Sequence, residues 1–63
     1  MSEREVYFEF LTIGQTVKVV AIDSATAIEV SVMGPASASQ ADMKQLALSK
    51  LRARLARETG KEP

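Results

Sequence analysis

The apolar residues of this chain change their period once. Up to about Gly34 they recur at every second position, as a strand requires; from Ser39 onward they recur at steps of three and four, as a helix requires. The switch predicts an α+β domain of two layers. A three-stranded antiparallel meander comes first, and one C-terminal helix packs on one of its faces (β-β-β-α). With 63 residues the chain has room for a single domain, 1–63. A chain of that length buries only about 60% of the surface its unfolded form exposes, enough for one core but not for a deep enclosed pocket as well.

The first strand is expected over about 5–13. Val6, Phe8 and Phe10 fall on one face and Tyr7, Glu9, Leu11 and Ile13 on the other. Gly14-Gln15 reads as a two-residue hairpin loop with glycine first, the type II′ pattern, and the second strand follows over 16–23. If Ile13 opposes Thr16, then Phe10 meets Val19 and Phe8 meets Ala21, whereas a one-residue slip would turn Val17, Val19 and Ala21 to the wrong side. Asp23 and Ser24 suit a turn start. A loop of two or of four residues keeps Ile28, Val30 and Val32 on the face of Val17 and Val19; four residues, 24–27, are preferred, with a third strand over 28–33, and the pattern alone does not settle the length. Gly34-Pro35 is expected to end it.

Ser37 and Ser39 are both candidate N-caps, with Gln40 and Asp42 three residues on. The helix is expected over about 39–58, with Gly60 as terminator. Met43, Ala47, Leu48, Leu51 and Leu55 share one face. Leu46 lies off that stripe. Lys44 lies within it, its stem covering apolar surface while the amine reaches water. The expected core is Val6, Phe8, Phe10, Val17, Val19, Ala21, Ile28, Val30, Val32, Leu48, Leu51 and Leu55.

The residue types restrict the chemistry. Hydrophobic residues make up 46% and charged residues 25%, an ordinary globular balance. Without cysteine there is no disulfide and no thiolate zinc site, and without histidine the commonest metal ligand and the usual neutral-pH base are missing. No two carboxylates are set by sequence to share a cleft, although Glu9 and Glu29 fall on the outer sheet face. We therefore expect no enzyme, no catalytic residue, no metal and no cofactor; a pyridoxal-phosphate enzyme, for instance, needs a Schiff-base lysine inside a large fold. The N-terminus lacks the basic start and apolar run of a signal peptide, and no stretch is apolar enough to cross a bilayer, so the expected setting is cytoplasmic with no membrane partner.

The string Glu5-Val6-Tyr7-Phe8-Glu9-Phe10 and the run Gly34-Pro35-Ala36-Ser37-Ala38-Ser39-Gln40-Ala41 resemble a family of short, uncharacterised alphaproteobacterial proteins classed as a domain of unknown function. The resemblance extends from Val6 to about Leu55. It implies a bacterial cytoplasmic origin and supplies no activity, ligand or functional residue.

Two binding readings follow from the residues. On the outer sheet face Tyr7, Leu11, Ile13, Val20, Ile22 and Met33 make a surface more apolar than solubility requires. Such a surface suits a protein partner or self-association, and strand edges offer a second route. The alternative is nucleic acid, bound by the C-terminal helix. Residues 1–42 carry six acids and two bases (−4), and residues 43–63 carry six bases and two acids (+4). Lys50, Arg54 and Arg57 would make the contact. Against it, the strands hold one base, Lys18, beside Glu9 and Glu29, and no base-stacking set; cations near a helix C-terminus also suit its dipole. The segment Gly34 to Gln40 could offer free amides to an anion, but capping accounts for those residues and the loop holds no lysine.

Overall fold

A computed structural model of the chain describes residues 5–58. Strands β1 (Val6–Ile13), β2 (Thr16–Asp23) and β3 (Glu29–Pro35) form one antiparallel sheet with β2 in the middle, followed by helix α1 (Gln40–Glu58). The first hairpin has the register its pattern demands: Ile13 lies opposite Thr16, Phe10 opposite Val19 and Phe8 opposite Ala21. Gly14 takes a φ of 61° while Gln15 does not enter positive φ, which is the backbone of a type II′ turn.

The second loop spans 24–27, bracketed by a bond from the Asp23 amide to the Ile28 carbonyl (2.9 Å). Asp23 is fully buried, and its Oδ2 accepts from the Thr26 amide (3.0 Å) and the Thr26 hydroxyl (2.8 Å). Its own carbonyl accepts from the Ala27 amide at 2.8 Å. These bonds hold Ala27 at a φ of 64°, a left-handed conformation that costs a residue with a Cβ about 1–2 kcal/mol.

The third strand departs from expectation at both ends, since it starts at Glu29 and continues through Gly34 and Pro35. Gly34 leaves room for Met43: a Cβ there would lie 2.9 Å from the Met43 sulfur and terminal methyl. Pro35 is tolerated because of ladder parity. The Ala36 amide bonds to the Gln15 carbonyl (2.8 Å), so 15 and 36 form a bonded rung and the next pair, Thr16 and Pro35, a non-bonded one. The proline nitrogen therefore faces away from β2, where no ladder donor is needed.

Ser39 is the N-cap. Its Oγ accepts from the Asp42 amide (3.2 Å) and its carbonyl from the Met43 amide (3.0 Å), while Ser37 plays no such part. The expected terminator Gly60 lies outside the described residues.

The helix lies across β2 and β3 and scarcely reaches β1. The buried cluster is Val17, Val19, Ala21 and Val30 from the sheet with Met43, Ala47, Leu51 and Leu55 from α1. This corrects the expected core. Val6, Phe8 and Phe10 are a half-buried rim, because the helix lies over β2 and β3 and scarcely reaches β1; Ile28 and Val32, at the β3 side, are half-buried as well. Leu48 is also half-buried, while Met43 and Ala47 take the centre. Lys44 is exposed, and its amine stands 5.0 Å from the centroid of the Phe8 ring, a cation–π contact over the half-covered aromatic.

Two stability predictions follow. Leu51 is fully buried, so Leu51→Ala should cost about 2–5 kcal/mol; Leu51→Asp adds an unpaired charge there and should abolish the cooperative melt seen by circular dichroism. At the loop, Ala27→Gly should raise stability by about 0.5–1 kcal/mol by relieving left-handed strain, whereas Gly14→Ala should lower it by about 1 kcal/mol. Opposite shifts in melting temperature for these two alanine/glycine exchanges are the expected result.

Candidate functional site

Cross-strand register builds the outer face in four rows. Tyr7, Ile22 and Glu29 form the first, and Glu9, Val20 and Ser31 the second. Leu11, Lys18 and Met33 form the third, and Ile13, Thr16 and Pro35 the last. All six apolar residues expected on this face are on it. Tyr7 (56%), Leu11 (40%), Ile13 (62%) and Met33 (61%) are exposed, and Val20 and Ile22, in the central strand, are half-buried. No described element covers them, because α1 occupies the opposite face. The apolar surface is not continuous. Glu9 separates Tyr7 from Leu11 along β1, and Lys18 stands between Leu11 and Met33.

Tyr7 is tied to its neighbour: the phenol donates to the Glu5 carboxylate at 2.7 Å. That hydrogen bond, then the carboxylate charge, then slight desolvation raise the Tyr7 pKa above the ordinary 10.0. Since the protonated phenol is the favoured form, whatever this contact contributes is present below pH 10 and lost as pH rises through the higher native pKa.

The basic residues of the alternative reading are at positions i, i+4 and i+7, which places Lys50, Arg54 and Arg57 along one flank of α1. Two of them have partners within the fold. Lys50 Nζ donates to the Ser31 carbonyl at 2.8 Å, and Arg54 Nε donates to Glu58 at 2.9 Å. Arg57 is exposed in the last turn, where it complements the helix dipole.

The structure also holds a feature that the residue pattern did not single out. An open groove of about 730 Å³ runs between β3 and α1, lined by Ser31, Val32, Met33, Leu46, Ser49 and Lys50. The exposure of Leu46 off the apolar stripe was its one visible signal. Among the described residues no group of three or more acidic side chains is placed to hold a metal ion, and no helix is long and apolar enough to cross a membrane.

Comparison with protein families matches residues 3–58 to a domain of unknown function, DUF6898. The chain belongs to this family. Comparison with curated proteins found no match, and comparison with solved structures found none. The DUF6898 match spans all three strands and α1, so it covers the outer face as a unit.

The chain has a single tyrosine, which makes the Tyr7–Glu5 contact directly measurable. In an absorbance titration at 295 nm the native phenol should ionise above pH 10, and Glu5→Gln should bring the midpoint back toward 10.

Proposed function

We propose that this DUF6898 chain is a small, non-catalytic accessory protein that acts by protein–protein contact through the outer face of its sheet, in a bacterial cytoplasm. One observation carries the reading: six apolar side chains stand on a sheet face that no described element covers. The strand ladder fixes the backbone that carries these side chains before any partner arrives, so only their rotamers remain to be ordered on binding. Glu9, Lys18 and Glu29 among them supply orientation and keep the free surface soluble.

A nucleic-acid reading through Lys50, Arg54 and Arg57 draws less support, since Lys50 and Arg54 already bond within the fold. The two readings differ in their response to salt. Phosphate contacts weaken steeply as salt rises and apolar contacts do not.

The test substitutes Val20, in the central strand of the outer face. Val20 is half-buried in the central strand, so Val20→Lys should cost about 1 kcal/mol and leave the cooperative melt intact. It should also weaken the capture of a partner from extracts of the source cell at least tenfold, about 1.4 kcal/mol. Capture by the unaltered chain should persist from low to high salt. Equal capture by the folded variant would remove the outer face from consideration, and capture only at low salt would favour the basic helix.

A further inference from the structure

The sheet has two open edges, and the fold treats them differently. Ladder parity shows which backbone groups each edge presents. On β3, the outward-facing N–H and C=O belong to Glu29, Ser31, Met33 and Pro35, by the rung argument given above for Ala36 and Gln15. This edge is obstructed. Pro35 has no amide to offer, and Lys50 occupies the Ser31 carbonyl at 2.8 Å. Proline and lysine on an edge are recognised means of blocking strand addition.

On β1, the Ser24 amide bonds to the Glu5 carbonyl (2.9 Å), making 5 and 24 a bonded rung. The outward groups are then those of Val6, Phe8, Phe10 and Thr12. Among the described residues no strand, helix or loop pairs with this edge, and the strand contains no proline, lysine or arginine. Its inner side chains are also incompletely covered: Val6, Phe8 and Phe10 are half-buried because α1 sits over β2 and β3, and Leu48 on the helix is half-buried too.

We infer that the β1 edge pairs antiparallel with the β1 edge of a second copy of this chain, joining the two sheets into one. The inference rests on the reading of this protein as a contact module but uses a different surface, and the outer face remains open in the pair. The sequence of β1 itself selects the occupant. Outward groups must meet outward groups, so a twofold axis falls at a residue and not between two, and the registers that pair most of the strand place it at Phe8, Glu9 or Phe10. An axis at Glu9 sets two carboxylates directly opposite each other. An axis at Phe8 sets Tyr7 against Glu9 of the second copy and leaves Ile13 beyond the end of the pairing. An axis at Phe10 sets Tyr7 against Ile13 of the second copy, and these are the two most exposed apolar side chains of the strand. It also places Glu9 of the second copy in the same row as Leu11 and Lys18. The two opposite charges are then two strand spacings apart, about 10 Å between backbones, a span that their long side chains reduce. On the inner face, Phe10 meets Phe10 of the second copy, and Phe8, under the Lys44 amine, lies opposite its Thr12. Among the registers that hydrogen-bond parity allows, apolar exposure and charge favour this one, and it is isologous.

The full chain should sediment at twice its single-chain mass at about 100 μM, where a micromolar dimer is filled. Amide exchange at Phe8, Phe10 and Thr12 should slow to the level of Tyr7, Glu9 and Leu11, which the β1–β2 ladder already protects. Thr12→Pro removes an outward amide that the single chain does not use; it should return the protein to one-chain mass while the cooperative melt persists. Should that variant fail to fold, the exchange pattern of the unaltered chain decides. A one-chain mass at this concentration overturns the proposal. So does a two-chain mass with fast exchange at Phe8, Phe10 and Thr12, which would place the contact on another surface. Val20→Lys leaves the β1 edge intact, so loss of the outer-face reading and loss of this one are separately visible.

Discussion

The close seat of α1 on β2 and β3 organises everything else in this fold. It depends on small or yielding residues. Ala21 on the sheet and Ala47 on the helix are both fully buried, and Gly34 offers no Cβ where Met43 comes down. Leu51 and Val19, also fully buried, fill the centre of the layer. Bulk at Ala21 or Ala47 would lift the helix, and overpacking of that kind typically costs about 1–3 kcal/mol. A helix that can settle so near β3 has no reason to lie centrally, and the displacement decides which surfaces stay open.

The displacement accounts for the condition of β1. Its outer residues face away from α1 in any case, and its inner aromatics are only partly sheltered. The Lys44 amine over Phe8 supplies some of the missing cover. The strand is held by its ladder to β2 and by a clasp at its start, where Glu5 and Ser24 exchange two bonds, the Ser24 amide to the Glu5 carbonyl and the Glu5 amide to the Ser24 hydroxyl. The loop that presents Ser24 keeps Ala27 in a left-handed conformation, and the buried Asp23 carboxylate with its bonds to Thr26 is what enforces it. Strain at the loop and order at the first strand are thus linked through a few hydrogen bonds.

Much of the architecture was legible in the residue pattern because each legible feature is local. The register of the first hairpin follows from Gly14 and the alternation on either side of it. Keeping Val30 on the face of Val19 limits the second loop to an even length, and the buried Asp23 with its bonds to Thr26 goes with the four-residue form. Ser37 with Gln40 and Ser39 with Asp42 mark the helix start to within two residues, and the structure selects Ser39. Periodicity also brought all six outer-face residues to one side. It could not say where across the sheet the helix would lie, since it reports the face of each element and not its lateral position. For that reason Phe8 and Phe10 were expected at the centre and stand at the rim, while Met43 and Ala47 were on the correct stripe but absent from the expected core. Pro35 was read as a stop because a proline cannot donate to a ladder. Whether its nitrogen faces the ladder depends on rung parity, which becomes visible only once the pairing is known.

The separation of charge along the chain has a structural explanation of the same kind. Acids predominate before α1 and bases within it, and taken alone that looks like a binding polarity. The structure accounts for four of the five bases of α1, Arg52 being simply exposed. Lys44 lies over an aromatic ring, Lys50 closes a carbonyl on an open edge, Arg54 pairs with Glu58, and Arg57 meets the negative end of the helix dipole. The Arg54–Glu58 pair is exposed and worth only about 0.3–0.5 kcal/mol, so its importance lies in occupying a cation rather than in stability. Lys50 matters more, because it acts on a backbone group that would otherwise template another strand. Four of the five bases of α1 thus have a role within the fold, two of them against the sheet, and the charge separation follows from how the helix is seated.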